Sequence, residues 1–479
     1  MRARICPRPA FVLFAFCIGC AAKPPAPAPS PEAGAAALEA RRLDDPRLLA
    51  FIAASERLDP GRADPEAGAP VGPPPWTLRR LTLAALYFHP DLDVARSALA
   101  LAEAGKVTAG ERPNPNIAFV PPPFLFGAVV NAVIETGGKR GDRMAAANAL
   151  AEAAREDLVT AGWQVRGGVR DAMLALWEAR RRGELLAAEA APEHELARAE
   201  AARLAAGAAS APEVGAIEIE VAALAAARSD NLKAQALAQA RLARAIGVPL
   251  AALRGVALDF ARFEHPPTLG ADLAEGQLRR AALLGRSDVK AELASFAAAD
   301  ARLREELANR YPNLTLSPGY NWYQGINTYA IAPGFDLPIL NQNQGRIGEA
   351  LARRSQEAAR FEALQARIIA ALDEAGTAWR ASAAGLRDAD ALVQAEAVRA
   401  REAAHAAAAG ALDQPTILTT QIALAHAKLA WLDADGARLG AIGALEDALR
   451  QPLFDPGACV PDLVPPPRAE FAGAESPAR

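Results

Sequence analysis

The chain repeats itself, and the repeat constrains its fold more than any other feature. Pro90-Asp91-Leu92 and Ser287-Asp288-Val289 each open a helical segment, and Pro115-Asn116-Ile117 and Pro312-Asn313-Leu314 each close it, an offset of 197 between copies. After a variable stretch the offset becomes 203. Arg143-Met144 then answers to Arg346-Ile347, Ala206-Gly207-Ala208 to Ala409-Gly410-Ala411, Pro212 to Pro415, and Pro249-Leu250 to Pro452-Leu453. Alanine inflates any such comparison in so alanine-rich a chain, so the weight rests on the glycine and the two prolines held in register without an insertion. Two copies of one supersecondary unit follow.

Each unit reads alike. A helix of about 24 residues (90–112 and 287–310) ends at a Pro-Asn break, since the residue before proline disfavours the helical region. An extended stretch comes next, then a helical run over 141–206 and 345–409 with apolar residues at mixed three- and four-residue spacing. A Gly-to-Pro turn interrupts it. Pro212 and Pro415 suit the first turn of a new helix of about 34 residues, which ends before Gly247-Val248-Pro249 in one copy and Gln451-Pro452 in the other. Alanine and straight-chain residues favour such helices. The long run would span roughly 95–100 Å at 1.5 Å per residue. The two shorter helices, stacked end to end, match it, so antiparallel packing of one against the other two fills a rod.

The second extended stretch alternates strictly. Leu314, Leu316, Pro318, Tyr320 and Trp322 share one parity, and Thr315, Ser317, Gly319, Asn321 and Tyr323 the other. Beyond a turn at Gln324-Gly325-Ile326-Asn327, the return strand sets Tyr329, Ile331, Pro333 and Phe335 against Thr328, Ala330, Ala332 and Gly334. Strands of about 10 residues with an apolar face and a small or polar face suit a tilted membrane β-strand, with Tyr320, Trp322 and Tyr329 as its interfacial aromatic girdle. The first stretch, Asn116 to Phe126 and Val129 to Thr136, is apolar on both parities, and Pro121-Pro122-Pro123 is expected to interrupt its first strand. Four strands cannot close a barrel, and an open edge in lipid is not viable, so several copies must share one. A symmetric trimer supplies twelve.

The amino terminus reads as an export signal. Arg2, Arg4 and Arg8 precede an apolar run from Ala10 to Ile18, too short to anchor in a bilayer. Its end, Cys17-Ile18-Gly19-Cys20, resembles a bacterial lipobox with cysteine in place of the usual leucine, which implies cleavage before Cys20 and lipid on Cys20. Ala21 follows rather than aspartate, which favours the outer membrane. Cys6 and Cys17 would leave with the leader, so only Cys459 remains as a free thiol, and neither an intramolecular disulfide nor a thiolate metal site can form. Twelve prolines between residues 21 and 75 suggest an extended tether with one short amphipathic helix at 45–52. The tail beyond Leu453 is again proline-rich and expected to lack order.

In this order, His89-Pro90-Asp91-Leu92, Arg112-Pro113-Asn114-Pro115-Asn116, Tyr311-Pro312-Asn313-Leu314, Asp336-Leu337-Pro338-Ile339 and the two Gly-to-Pro turns resemble the TolC-like outer-membrane efflux protein family over residues 76–453. Glu135-Thr136-Gly137-Gly138-Lys139-Arg140 is similar to the segment leading into the long helix in the heavy-metal-efflux branch of RND-type pumps. The resemblance implies a mainly α fold with membrane β: long antiparallel coiled-coil helices forming a periplasmic α-barrel, and four strands per chain contributing to a homotrimeric twelve-stranded outer-membrane β-barrel. The implied domains are a signal peptide (1–19), a lipidated tether (20–75), two efflux repeats (76–254 and 255–453) and a tail (454–479). The implied partners are a periplasmic adaptor, an inner-membrane pump and outer-membrane lipid. The adaptor would meet the helix tips at Gly207, Ala208, Ala209, Ser210, Ala211 and Pro212, and at Gly410, Ala411, Leu412, Asp413, Gln414 and Pro415. The best-known members carry acidic rings just after the second tip. Here Thr416 and Thr419 hold those positions, leaving Glu213 or Asp413 for any cation gate.

Other chemistry finds little support. The formal net charge is −4, with dispersed basic residues, which gives no footprint for nucleic acid. His89, His194, His265, His405 and His426 are scattered without an i, i+4 pair, so no metal site is expected, and no cofactor beyond the covalent lipid at Cys20. Glu193 and Glu195, or Asp388 and Asp390, read as helix-surface charges, and Gly137-Gly138-Lys139-Arg140 lacks the spacing of a phosphate loop. No enzyme is expected. The leading function is a passive exit duct for small molecules or metal ions. The alternatives are the same channel in type I protein secretion, or a lipid-anchored adaptor or structural coiled coil, which should show one hairpin flanked by β domains.

Overall fold

The computed structural model describes residues 28, 30–57, 74–120, 125–267 and 275–454. The chain divides into two units, the first ending at Arg41. That unit contributes α1 (Pro31–Glu39), where Pro31 takes the first helical position and the Ser30 hydroxyl accepts from the Ala33 amide. The proline-rich stretch thus holds a helix that its composition does not announce. Cys20 lies outside the described residues, as do Cys459 and the proline-rich tail.

The second unit carries the duplication. Its helices are α2 (Pro46–Arg57), α3 (Leu78–Phe88), α4 (Pro90–Gly110), α5 (Lys139–Ala205), α6 (Ala211–Ile246), α7 (Ala261–Glu264), α8 (Glu275–Gly285), α9 (Ser287–Ala308), α10 (Gln344–Ala408) and α11 (Gln414–Leu449). A 3-10 turn at Leu250–Leu253 follows Pro249. The offset of 203 maps α6 onto α11 at both ends, and the offset of 197 maps α3 onto α8 at both ends. The repeat therefore begins one helix earlier than its sequence landmarks indicate. Lengths of 21 and 36 residues for α4 and α6 stand against 67 for α5, and 22 and 36 for α9 and α11 against 65 for α10. Two short helices therefore run beside each long one.

Strands β1 (Asn116–Val120), β2 (Leu125–Ile134), β3 (Leu314–Tyr323) and β4 (Ile326–Phe335) form one antiparallel sheet in the order β1-β2-β3-β4. The first hairpin differs from the sequence expectation. Leu125 and Phe126 belong to β2, and Gly127 and Ala128 pair within the ladder. Residues 121–124, and with them the expected interruption at Pro121 to Pro123, lie outside the described residues. The second hairpin turns on Gln324 and Gly325, both at positive φ, the two-residue turn whose twist matches the flanking strands.

Helices and strands share one order. In the half nearer the sheet α4 packs on α5, α5 on α9 and α9 on α10; toward the other end α6 packs on α5, α5 on α11 and α11 on α10. Since β1 follows α4, β2 precedes α5, β3 follows α9 and β4 precedes α10, each strand prolongs its helix. The layer is four helices wide at both levels and ends in a sheet four strands wide.

The main core surrounds the middle of α5. Val165, Val169, Met173 and Leu176 meet Leu242 and Ile246 of α6 and Leu439 and Ile442 of α11, roofed by Leu81, Leu83 and Leu86 of α3. Leu48 and Ile52 of α2 are buried in this core, so that part of the expected tether packs against the repeats, and Phe454 is buried against Phe263 at a ring separation of 5.8 Å. Gly247 closes α6 at φ +80°, where an added Cβ would stand 3.0 Å from both the Phe88 carbonyl and the His89 Cα. Its counterpart by offset, Arg450, adopts the same left-handed region at φ +52°. Gly247→Ala is expected to cost about 1–3 kcal/mol in thermal unfolding, because the strain falls on backbone that cannot yield. A variant as stable as the parent would show that the α3–α4 corner gives way.

Candidate channel surfaces

The sheet sorts its side chains by face. Cross-strand partners Leu314 and Phe335, Leu316 and Pro333, Pro318 and Ile331, and Tyr320 and Tyr329 share one face. The β2–β3 register adds Phe126, Ala128, Ala132 and Ile134 to it, and the β1–β2 register Ile117 and Phe119. The other face carries Asn116, Asn131, Thr315, Ser317, Asn321 and Thr328 with small residues between. Registration thus resolves the first hairpin, whose two parities look equally apolar through Val129 and Val133. The apolar face is open: Tyr329 is 79% exposed, Ile331 71% and Phe119 58%. The polar face is knitted together, with the Asn131 amide donating to Asn116 Oδ1 and the Ser317 hydroxyl to Asn131 Oδ1, each at 2.8 Å.

The three expected girdle residues lie together on the apolar face beside the β3–β4 turn. Tyr320 and Tyr329 rings stand 5.3 Å apart, Trp322 pairs with Phe126, and the Tyr320 hydroxyl donates to Asn327 Oδ1 at 2.8 Å. Each ring therefore combines an apolar body with a polar end, as an interfacial aromatic requires.

Where the sheet meets the rods, Glu135-Thr136-Gly137-Gly138-Lys139-Arg140 clamps the first repeat to the second. Gly137 and Gly138 both take positive φ. Lys139 Nζ donates to the Tyr311 carbonyl and to Asn313 Oδ1, both at 2.6 Å, and the Thr136 hydroxyl donates to the Pro312 carbonyl. Arg143 reaches back to Glu135 in a bidentate pair and to the Ala109 carbonyl. In the second repeat Asn343, at φ +65°, precedes α10 and donates to the Glu306 carbonyl. Leu337, Ile339 and Leu340 on this connection stand exposed.

At the far end the two tips are built identically. The Gly207 and Ala208 amides donate to the Leu204 and Arg203 carbonyls, and the Gly410 and Ala411 amides to the Ala407 and Ala406 carbonyls. With each glycine left-handed, this is the Schellman closure of a helix. Ala208, Ser210, Ala211, Pro212, Leu412 and Gln414 are exposed or nearly so, Ala209 and Pro415 half-buried. Glu213 Oε2 accepts from the Ser210 amide at 2.7 Å, and Asp413 accepts from the Thr416 amide and hydroxyl. These bonds hold both carboxyls below their ordinary range, with Arg203 near enough to add to each. Glu213 and Asp413 therefore serve as helix caps, and the Thr416 and Thr419 hydroxyls are engaged within the first turn of α11.

Two polar clusters between α5 and α11 escape the sequence reading. One has a buried centre: Arg166 and Arg170 of α5 flank Glu446, while Arg170 also pairs with the half-exposed Asp447 at 2.7 Å and with the exposed Asp171. The other joins Glu189 and Glu193 of α5 to His426 of α11. Sequence spacing sets His426 aside as solitary and treats Glu193 as a surface charge; helix packing buries Glu193 and brings all three together. The readable signal was the i, i+4 spacing of the two glutamates.

No family model and no curated protein matches the sequence. Solved structures do match in fold. The chain is 19% identical to the outer membrane protein VceC of Vibrio cholerae, covering 78% of this chain and 95% of that one at a TM-score of 0.64. The outer membrane channel MtrE of Neisseria gonorrhoeae is 16% identical over 80% of this chain and 89% of its own, at 0.64. The outer membrane channel CmeC of Campylobacter jejuni is 14% identical over 78% and 85%, at 0.63. The fold is that of TolC-like outer-membrane channels: long helices with four strands per chain.

Proposed function

We propose that three copies of this chain close a twelve-stranded barrel in the outer membrane, prolonged into the periplasm by a tube of twelve helices, as a passive exit duct for small molecules or metal ions. The observation that carries this reading is the matched order of strands and helices, open at both sides. Among the described residues β1 and β4 each have a partner on one side only, and an apolar sheet face lies uncovered. A lone four-stranded sheet would leave its edges unpaired in lipid, whereas copies joined edge to edge satisfy every strand. The helical layer asks for the same neighbours. Ile219 and Leu232 of α6, on one flank, and Leu351, Leu392 and Val398 of α10, on the other, are exposed in the single chain. So are Leu337, Ile339 and Leu340 at the rim of the sheet.

In this reading the face bearing Asn131, Ser317 and Thr328 lines water, the opposite face meets acyl chains, and the girdle residues mark one interface. The tips, rich in small residues and exposed, offer a surface for a periplasmic adaptor that couples the duct to an inner-membrane pump. Lipid on Cys20 holds the chain to the inner leaflet of the outer membrane. No covalent chemistry is assigned to the chain. The two-hairpin architecture favours a duct over an adaptor, which needs only one.

Outer-membrane fractions are expected to contain a heat-modifiable oligomer labelled by palmitate, and the purified oligomer is expected to conduct ions in planar bilayers. A soluble, non-conducting monomer after delipidation would overturn the proposal.

A further inference from the structure

We infer that Glu189, Glu193 and His426 form a resident divalent-cation site of the zinc type that ties α5 to α11. One ligand atom from each residue lies within 4.8 Å of the others. The glutamates stand one turn apart on α5, which aims both carboxylates along one face, and His426 faces them from α11. Its Nε2 approaches Glu189 Oε1 at 2.8 Å.

The burial of the carboxylates sets this cluster apart from a surface charge pair. Both glutamates are 3% exposed, and the Oε2 atoms of both are buried with no hydrogen-bond partner among the described residues. Leu186, Ala190 and Leu224 make an apolar cluster on this stretch of α5 and α6, with Leu429 of α11 against it. Burial, then the neighbouring Glu189 and Glu220, push the Glu193 carboxyl up. Two adjacent carboxylates with unpaired oxygens are costly in such surroundings. A divalent cation removes that cost directly, accepting both carboxylate oxygens and the imidazole nitrogen. Two carboxylates and one imidazole also form the donor set of an open three-ligand zinc site, with the fourth position left to water. Ligand atoms around tetrahedral zinc stand about 3.4 Å apart, so rotamer adjustment closes the present spacing. The His426 side chain is 62% exposed, which leaves an entry path.

The position gives the site a mechanical role. Glu193 precedes the end of α5 at Ala205 by about three turns, and His426 lies about as far beyond the start of α11 at Gln414, roughly 18 Å along each helix. A cation there cross-links the two helical hairpins near their free ends. The inference depends on the packing of α5 against α11 and stands whether or not the chain forms a duct.

The test uses the full-length protein in detergent, in whatever oligomeric state it purifies, without a histidine tag and stripped with EDTA. Zinc titrated against a chromophoric chelator is expected to fill one site per chain, and cobalt to give the visible absorption of a tetrahedral centre. His426→Ala, a change at an exposed side chain, and the near-isosteric Glu193→Gln are each expected to weaken zinc binding at least tenfold. Zinc should raise the Tm of the parent and not that of His426→Ala, because only the native site transfers binding free energy to stability. Absence of saturable binding in the parent, or equal binding and equal Tm shifts in parent and variants, would overturn the inference.

Discussion

Replacing Glu446 by alanine is expected to destabilise the protein by about 3–5 kcal/mol, because it leaves the buried Arg166 guanidinium without its carboxylate and takes one of three from Arg170. Glu446 is fully buried near the end of α11. Arg166 Nε lies 3.2 Å and Arg170 Nη1 3.1 Å from its Oε1, while its Oε2 accepts from the Leu453 and Phe454 amides at 2.6 and 3.0 Å. One carboxylate thus neutralises α5 and caps the chain as it leaves α11. Glu446→Gln keeps an acceptor for the amides and should fall between alanine and the parent. Thermal unfolding of the purified protein measures both, and an alanine variant within 1 kcal/mol of the parent would remove the cluster from any bracing role.

The same carboxylate gives the stability a pH signature. Burial opposes its charge, but Arg166, Arg170 and the Phe454 amide together hold its pKa below the 4.5 of a free glutamate. Ionised Glu446 therefore contributes fully above about pH 4.5, and that contribution is lost as the pH falls through the lowered value. Asp288, paired with Arg286 in the neighbouring stretch and held below its ordinary 3.8, loses stabilisation only as the pH falls below about 3.8. Arg450 and Asp447 complete the charged surroundings. The acid limb specific to Glu446 is the difference between parent and Glu446→Gln, and parallel curves below pH 4.5 would contradict its assignment.

The second large effect belongs to the sheet. Arginine at Ile331, in the middle of β4 on the apolar face, is expected to cost about 2–4 kcal/mol per chain where that face meets hydrocarbon. Ala330 is the control. It neighbours Ile331 in sequence, lies on the opposite face and pairs with Gly319, so an arginine there has room and water. The measurement is the yield of folded, heat-modifiable oligomer in outer-membrane fractions. A strong loss for Ile331→Arg beside near-parental yield for Ala330→Arg is expected. Equal yields would mean that the face does not meet lipid.

The repeat and its glycine and proline landmarks made the rods legible, because the chemistry that ends and restarts a helix is local. Gly207 and Gly410 end their helices, Pro212 and Pro415 start the next, and no distant residue is needed to read them. The second hairpin was equally plain, since strict alternation at Leu314 to Trp322 leaves one face to bury. The first hairpin was not: with valines on both parities and three prolines nearby, only pairing to β3 decides which residues turn outward. Tip carboxylates illustrate another limit. Glu213 and Asp413 read in the sequence as candidates for a cation gate, but their bonds to the Ser210 and Thr416 amides, which hold them ionised, become visible only in the folded turn. Both α5–α11 clusters were hidden more deeply, since they join residues about 240 to 280 positions apart, and single-sequence spacing carries no information at that range. Nor does a duplication announce them, because Arg166, Arg170 and Glu189 come from the first repeat while Glu446 and His426 come from the second.

The order β1-β2-β3-β4 also has a genetic consequence. Because the two open edges differ, the proposed ring can grow in only one sense, with the trailing strand of each copy always meeting the leading strand of the next. Every seam then needs one sound edge from each of two chains, and a copy that inserts but cannot pair at β4 spoils a whole ring. In a cell making such chains and native ones in equal amount, about one ring in eight would be wholly native if three copies assemble at random. Edge-strand lesions should therefore behave as dominant alleles, whereas lesions that prevent folding altogether should stay recessive.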